Sequence, residues 1–178
     1  MLKPISRLLA VCVAAFAVSS CTDDKKIEFC PGMTAVLDAY MAATFKPGMP
    51  ALPTNALYTV EIVNVKGNCS FDKQGKTSDS NLTVTFGATR ARPGDAAQYT
   101  VPYFIAVTQG ETVITKTQRK VTFSFAPGAK FASFQDDIND VALVTDGEKK
   151  PYDYQILVGL QLTKEQLDYN RTMGIFAR

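Results

Sequence analysis

The sequence predicts an all-β chain: an antiparallel β-sandwich, immunoglobulin-like or fibronectin type III-like, with a short C-terminal helix. Three observations predict it. Apolar and polar residues alternate with period two in several segments, as in strands with one buried face. Gly, Pro, Asn and Asp turn residues separate those segments. The one well-marked helix signal stands alone near the C-terminus. Six to eight short strands of this kind are best buried as two packed sheets. The absence of tryptophan argues against a true antibody-type domain, which buries one, but not against the broader architecture.

Ahead of the strands lies a different signal. Lys3 and Arg7 form a short basic region, and Leu8 to Val18 is an apolar run of eleven residues. That is the length of a signal-peptide core and too short to span a bilayer. Val18-Ser19-Ser20-Cys21 resembles the bacterial lipobox. The resemblance implies cleavage before Cys21 and lipidation of its sulfur. Several acyl chains on one residue give stable anchoring, since each buried methylene contributes roughly 0.8 kcal/mol. An ordinary secretory signal with an incidental Cys21 is the rival reading. Residues 1–20 are thus expected to be removed, Cys12 with them. Residues 21–29 form a polar tether and 30–178 a single domain. Thr22 follows the cysteine, with Asp23 and Asp24 one place later than the position where an aspartate marks inner-membrane retention. By that resemblance the protein is expected on the outer membrane, facing the periplasm.

The segment after Cys30 is ambiguous. Met33, Val36, Leu37, Tyr40 and Met41 fit helical spacing. A strand over Thr34 to Phe45, antiparallel to Leu57 to Lys66, also fits, and it brings Cys30 close to Cys69. We favour the strand, with Pro47, Pro50 and Pro53 marking the loop between. Cys30 and Cys69 are the two cysteines left after Cys21. An oxidising periplasm favours pairing them. Two free or catalytic thiols are the alternative, but no CxxC spacing supports redox work. The closed loop of about forty residues is worth roughly 4 kcal/mol in the chain-entropy model.

"LYTVEIVNVKGNC" switches its apolar face between Ile62 and Val63, which predicts a bulge. In "NLTVTFGATR", Leu82, Val84, Phe86 and Ala88 share one face. "YTVPYFIAVTQG" is apolar on both faces from Val101 to Val107, as in a doubly covered strand. Its Pro102 cannot donate to a ladder, so pairing begins after it or at an edge. "KVTFSFAPG" places Val121, Phe123 and Phe125 on one face and stops at Pro127-Gly128. "YDYQILVGLQL" aligns Tyr152, Tyr154, Ile156, Val158, Leu160 and Leu162. Thr163 to Gln166 has capping-box form, and Leu162 with Leu167 makes a hydrophobic staple. A short helix is expected from there through about Asn170.

"CPG" at Cys30, "VKGNCSFD" at Val65 to Asp72, "VPYFIAV" at Val101 to Val107 and "YQILVGLQLTKEQLDYNR" at Tyr154 to Arg171 resemble a family of small alphaproteobacterial lipoproteins. The resemblance covers most of the mature chain. It implies location and fold, and carries no catalytic residues.

The chemistry available is narrow. The net charge of +2 comes from Lys3 and Arg7, so the mature chain is near neutral. That argues against nucleic acid, which needs a basic footprint, and leaves membrane attachment to the lipid on Cys21. The chain has no histidine. It therefore lacks the commonest general base and metal ligand, and Ser-His-Asp and Cys-His catalysis are excluded within it. Asp136, Asp137, Asn139 and Asp140 are calcium candidates, but their spacing departs from the EF-hand pattern and a solvated turn is the plainer reading. Asp72 to Ser80 reads as a hairpin loop, since no phosphate-loop pattern is present. Arg90, Arg92, Arg119 and Lys120 either gather to hold an anion or are scattered surface charge, which we favour. Tyr99, Tyr103, Phe104, Tyr152 and Tyr154 either form a ligand platform or follow the strand period into the core, as most are expected to.

No cofactor and no metal are therefore expected, and no enzyme. The expected role is a lipid-anchored interaction module docking on an envelope protein, for which an open sheet edge could accept a partner strand. A carrier of a small lipid or glycan is the alternative. An enzyme would have to work with Asp, Glu, Tyr, Lys or Ser alone.

Overall fold

The computed structural model describes residues 29–72, 76–145 and 148–174 of the chain. The expected signal peptide, Cys21 and all of the expected tether but Phe29 lie outside the described residues. Eight strands build two four-stranded sheets. One holds β1 (Gly32–Ala35), β8 (Tyr154–Leu160), β5 (Ala97–Gln109) and β6 (Thr112–Phe125), in that order. The other holds β2 (Met41–Phe45), β3 (Ala56–Phe71), β4 (Thr77–Arg90) and β7 (Phe131–Val144). A helix, α1 (Lys164–Thr172), follows the last strand. Among the described residues no helix is long and apolar enough to cross a membrane.

The alternating faces become the core. Leu82, Val84, Phe86 and Ala88 of β4 are buried against Val121, Phe123 and Phe125 of β6 and Tyr154, Ile156, Val158 and Leu160 of β8 in one cluster. Tyr152 is exposed instead, because the chain makes a 3-10 turn at Pro151–Asp153 before β8 begins. The inward residues of β5 are Val101, Tyr103, Ile105 and Val107, with Ala106 buried on the other face. Phe104 lies over Gly159, where a Cβ would stand 2.5 Å from its ring. Pro102 sits where β5 pairs with Lys120 of β6 but the β8 ladder has not begun; that ladder starts at Tyr103. The Pro102 carbonyl accepts from Gln161 N–H, so its missing donor faces the unpaired end. The β3–β4 register shifts between Ile62 and Asn64, leaving Val63 exposed at the expected bulge.

Three expectations are corrected. The segment Thr34 to Phe45 is not one strand. It breaks at a 3-10 turn, Leu37–Ala39, and its halves join different sheets. Only the second half pairs antiparallel with β3, from Met41 opposite Glu61 to Phe45 opposite Ala56. The first half, β1, runs parallel to β8, so that sheet is mixed rather than antiparallel. The physical reason is β8 itself: it is apolar on its inner face and would otherwise be an open edge. Five of the strands are also long, 13 to 16 residues, because each hairpin pairs nearly end to end. Thr77 to Ser80 accordingly belongs to β4 rather than to a loop, with Asp72 Oδ1 accepting from the Lys76 and Thr77 amides at the turn.

The disulfide therefore joins layers. Cys30 precedes β1 of the mixed sheet and Cys69 lies in β3 of the other, with Cα atoms 5.7 Å apart. Beside it the layers touch closely. A Cβ on Gly67 would stand 2.4 Å from Met33 Sδ and 2.5 Å from the Asn81 carbonyl oxygen. The capping box forms as expected: Gln166 N–H donates to Thr163 Oγ1, and Thr163 N–H to Gln166 Oε1.

Candidate functional site

Each sheet has two edge strands, and they differ in how far they are covered. β2 lies against α1. Gln166 Nε2 donates to the Ala43 carbonyl and Asn170 Nδ2 to the Met41 carbonyl, each at 2.8 Å. Spaced four apart, these two amides share one helix face and occupy acceptors on alternate residues of the edge. The Tyr169 ring packs edge-on against Phe45. β1 is only four residues long and is fixed by the adjacent disulfide. That leaves β6 and β7, each 14 residues long.

β6 and β7 lie one over the other and form one side of the sandwich. The connection between them turns at Pro127-Gly128, where Gly128 adopts φ +75°. Their contacts run antiparallel across the layers. The Phe123 and Phe134 rings stack at 4.6 Å, Arg119 meets Asp136, and Thr115 and Thr117 face residues 138–142 across a cleft of about 260 Å³. In β6 the inward face passes from buried Phe125, Phe123 and Val121 to half-buried Arg119 and then to exposed Thr117 and Thr115. The sheets part at that end.

At the mouth of the cleft, three polar side chains from three strands converge. The buried Tyr103 hydroxyl donates to Asp136 Oδ2 at 2.5 Å. Arg119 Nε donates to Tyr103 Oη at 2.9 Å, and Nε and Nη2 lie 3.3 Å from the same carboxylate oxygen. Burial, reinforced by the Asp136 carboxylate, raises the Tyr103 pKa well above the ordinary phenol range. The group is thus held neutral and far from ionising. A phenol in that state is no base, and the carboxylate is already bound by two donors. The cluster closes the side of the sandwich. Sequence reasoning did not assemble it. Its signal is a charge at an inward position: Asp136 stands in register between Phe134 and Ile138, and Arg119 two residues before Val121.

Apart from the inward Arg119 and Asp136, the two edges carry opposite charge. β6 adds Lys116 and Lys120 and no acid. β7 adds Asp137 and Asp140 and no base. Lys116 Nζ lies 4.0 Å from the Phe104 ring centroid, and Asp137 accepts from Thr83 Oγ1. Val113 and Ile114 near the start of β6 are more than half exposed.

The other sequence candidates separate. Asp136 to Asp140 is not a turn but part of β7, because Phe134, Asp136 and Ile138 keep the inward alternation. Asp136 faces Arg119 inward and Asp137 faces Thr83 outward, so the two do not converge on one ion. Two residues, Asn139 and Asp140, bulge opposite Asn81; Asp140 takes φ +60° and its N–H donates to Asn81 Oδ1. Among the described residues no group of three or more His, Cys, Asp or Glu could hold a metal ion. Arg90 is consumed locally: it donates to the carbonyls of Gly94, Asp95, Ala126 and Ala129 and lies over the Phe125 ring. It fastens loops and does not join Arg119 in an anion site. Tyr103 and Tyr154 are core, and Tyr99 packs against Tyr58 and Phe123. A shallower groove lies between α1 and residues 51–53, lined by Leu52, Tyr169 and Met173.

Comparison with protein-family models, with curated proteins and with solved structures returned no match to this chain.

Proposed function

We propose that this chain is a lipid-anchored lipoprotein of the cell envelope, of the alphaproteobacterial kind it resembles, facing the periplasm from the outer membrane. It works as a non-enzymatic docking module. The observation that carries this reading is the contrast between edges: one is capped by α1, one is short and tethered, and the β6/β7 side is left long, charged and open. An extended edge offers main-chain hydrogen bonds to a partner strand, and its side chains supply specificity. The chain contains no histidine, and the polar cluster at the mouth of the cleft holds a tyrosine away from ionisation. Both favour docking over catalysis. The two-layer arrangement, with the chain crossing layers at residues 36–40 and 126–130, supports an immunoglobulin-like or fibronectin type III-like assignment.

A carrier of lipid or glycan between the sheets is the weaker reading. The rings of Phe86, Tyr103, Phe123 and Phe134 stack through the space such a ligand would need.

Replacing Cys21 with Ser tests the anchor. The variant is expected to leave the outer-membrane fraction, and unchanged fractionation would refute lipid anchoring. In-cell crosslinking of the tagged lipoprotein, followed by purification and mass spectrometry, tests the docking role. A partner at defined stoichiometry is expected. A monomer in gently solubilised membranes, with no crosslinked species, contradicts it.

A further inference from the structure

Outside the Arg119–Asp136 pair, the exposed charges of β6, Lys116 and Lys120, and of β7, Asp137 and Asp140, are opposite in sign, and the two strands lie on the same side of the molecule. From this we infer that the occupant of the open side is a second copy of this chain, paired by a two-fold axis parallel to the strands. The inference rests on the docking reading and names its partner.

The geometry follows from symmetry. A two-fold rotation about an axis along the strands exchanges the layers and preserves height along the axis. It therefore places β6 of one copy beside β7 of the other, twice, and a self-complementary dimer closes. Because β6 and β7 run antiparallel within one chain, the new pairs are antiparallel as well. Each sheet then continues into a sheet of the second copy, and both open edges disappear.

Height also sets the register. Within one chain Phe123 stacks on Phe134, Arg119 meets Asp136, and Thr115 faces the 138–142 segment, which brackets the relative level of the strands to within two residues. The same levels hold between copies. Counted antiparallel from these contacts, Lys120 comes opposite Gln135 or Asp137 of the second copy, and Lys116 opposite the 139–142 segment that holds Asp140. Lys116, Lys120, Asp137 and Asp140 are exposed in the single chain. The alternative two-fold, perpendicular to the sheets, pairs β6 with β6 and β7 with β7. It sets the edge carrying Lys116 and Lys120 against the same edge of the second copy, and the edge carrying Asp137 and Asp140 likewise against itself. Like charges directly opposite destabilise a strand pair, so the charge pattern selects the first arrangement.

The test uses the full-length lipoprotein in cells. Lys120→Cys is co-expressed with Gln135→Cys or with Asp137→Cys, each made as a separate variant. In one chain position 120 lies on the opposite outer face from 135 and 137 and cannot bridge to either; in the dimer one of the two is directly opposite it, within disulfide reach. The expected result is a covalent dimer on a non-reducing gel from one co-expressed pair and none from any variant alone. A dimer from Lys120→Cys alone, or none from either pair, overturns the arrangement. A charge swap supplies the second readout by sedimentation in detergent. Lys120→Glu is expected to weaken association by about tenfold, and adding Asp137→Lys to restore it. Weakening without restoration counts against the pairing. If a photocrosslinker at Gln118 captures a different protein while neither cysteine pair gives a dimer, self-pairing fails and the docking reading stands. If it captures nothing, both fail.

Discussion

Arg119 of β6 and Asp136 of β7 form an ion pair at 3.3 Å that joins the outermost strands of the two sheets, with the Tyr103 hydroxyl beneath it on the same carboxylate oxygen. Both charged side chains are partly exposed, 38% and 25%, so solvent screens the ion pair, and its own worth is at most about 1 kcal/mol. The larger stake is Tyr103, which is fully buried. Asp136→Ala leaves its hydroxyl proton unpartnered and is expected to cost about 2 kcal/mol, whereas Tyr103→Phe removes the need and costs about 1 kcal/mol. The double variant is expected to lose less than the sum. Urea denaturation of the four proteins measures this cycle, and strict additivity would show that the two side chains act independently.

The same cluster sets an alkaline limit. The folded-state pKa of Tyr103 lies above its unfolded value near 10. Its contribution is therefore fully present below about pH 10 and is lost as pH rises, because the unfolded chain releases a proton that the folded one retains. Stability is expected to fall by about 1.4 kcal/mol per pH unit from this group once pH exceeds about 10. Thermal midpoints between pH 8 and 11 should fall more steeply for wild type than for Tyr103→Phe. Parallel curves would contradict the assignment.

The disulfide spans a sequence separation of 39 and staples the layers where the sandwich begins. Replacing Cys30 and Cys69 together with alanine is expected to cost about 4 kcal/mol through the freed unfolded chain. Denaturation with and without reductant checks this. Wild type should be reductant-sensitive and the double variant should not.

The helix protects an edge. Gln166→Ala with Asn170→Ala leaves the Met41 and Ala43 carbonyls of β2 without their side-chain donors. Each loss is expected to cost about 1 kcal/mol. The exposed edge should also raise the rate of aggregation on mild heating, followed by light scattering. Unchanged scattering would mean that α1 packs on β2 without guarding it.

Much of this fold is legible in the residues because period-two alternation is a local consequence of the pleat. Leu82 to Ala88, Val121 to Phe125 and Tyr154 to Leu160 each needed only their own side chains to declare a face. The bulge at Val63 was readable for the same reason, since one extra residue reverses the pattern. The capping box at Thr163 and Gln166 is likewise closed within one turn. The division of Thr34 to Phe45 between two sheets was not legible, because it is decided by the edge of β8, more than a hundred residues away. The run Asp136 to Asp140 was read as a turn on its charge, although Phe134 and Ile138 continue the strand through it. The Tyr103, Arg119 and Asp136 cluster joins three strands, and sequence alone does not say which strands meet.

The central claim is that the β6/β7 side is the docking surface. It is tested most directly by placing a photoreactive residue in the full-length chain, in cells, at Gln118 on β6 and, for comparison, at Thr44 on the helix-covered β2. A discrete crosslinked species at Gln118 and none at Thr44 is the predicted result. Equal labelling at both, or labelling at Thr44 alone, would contradict the account.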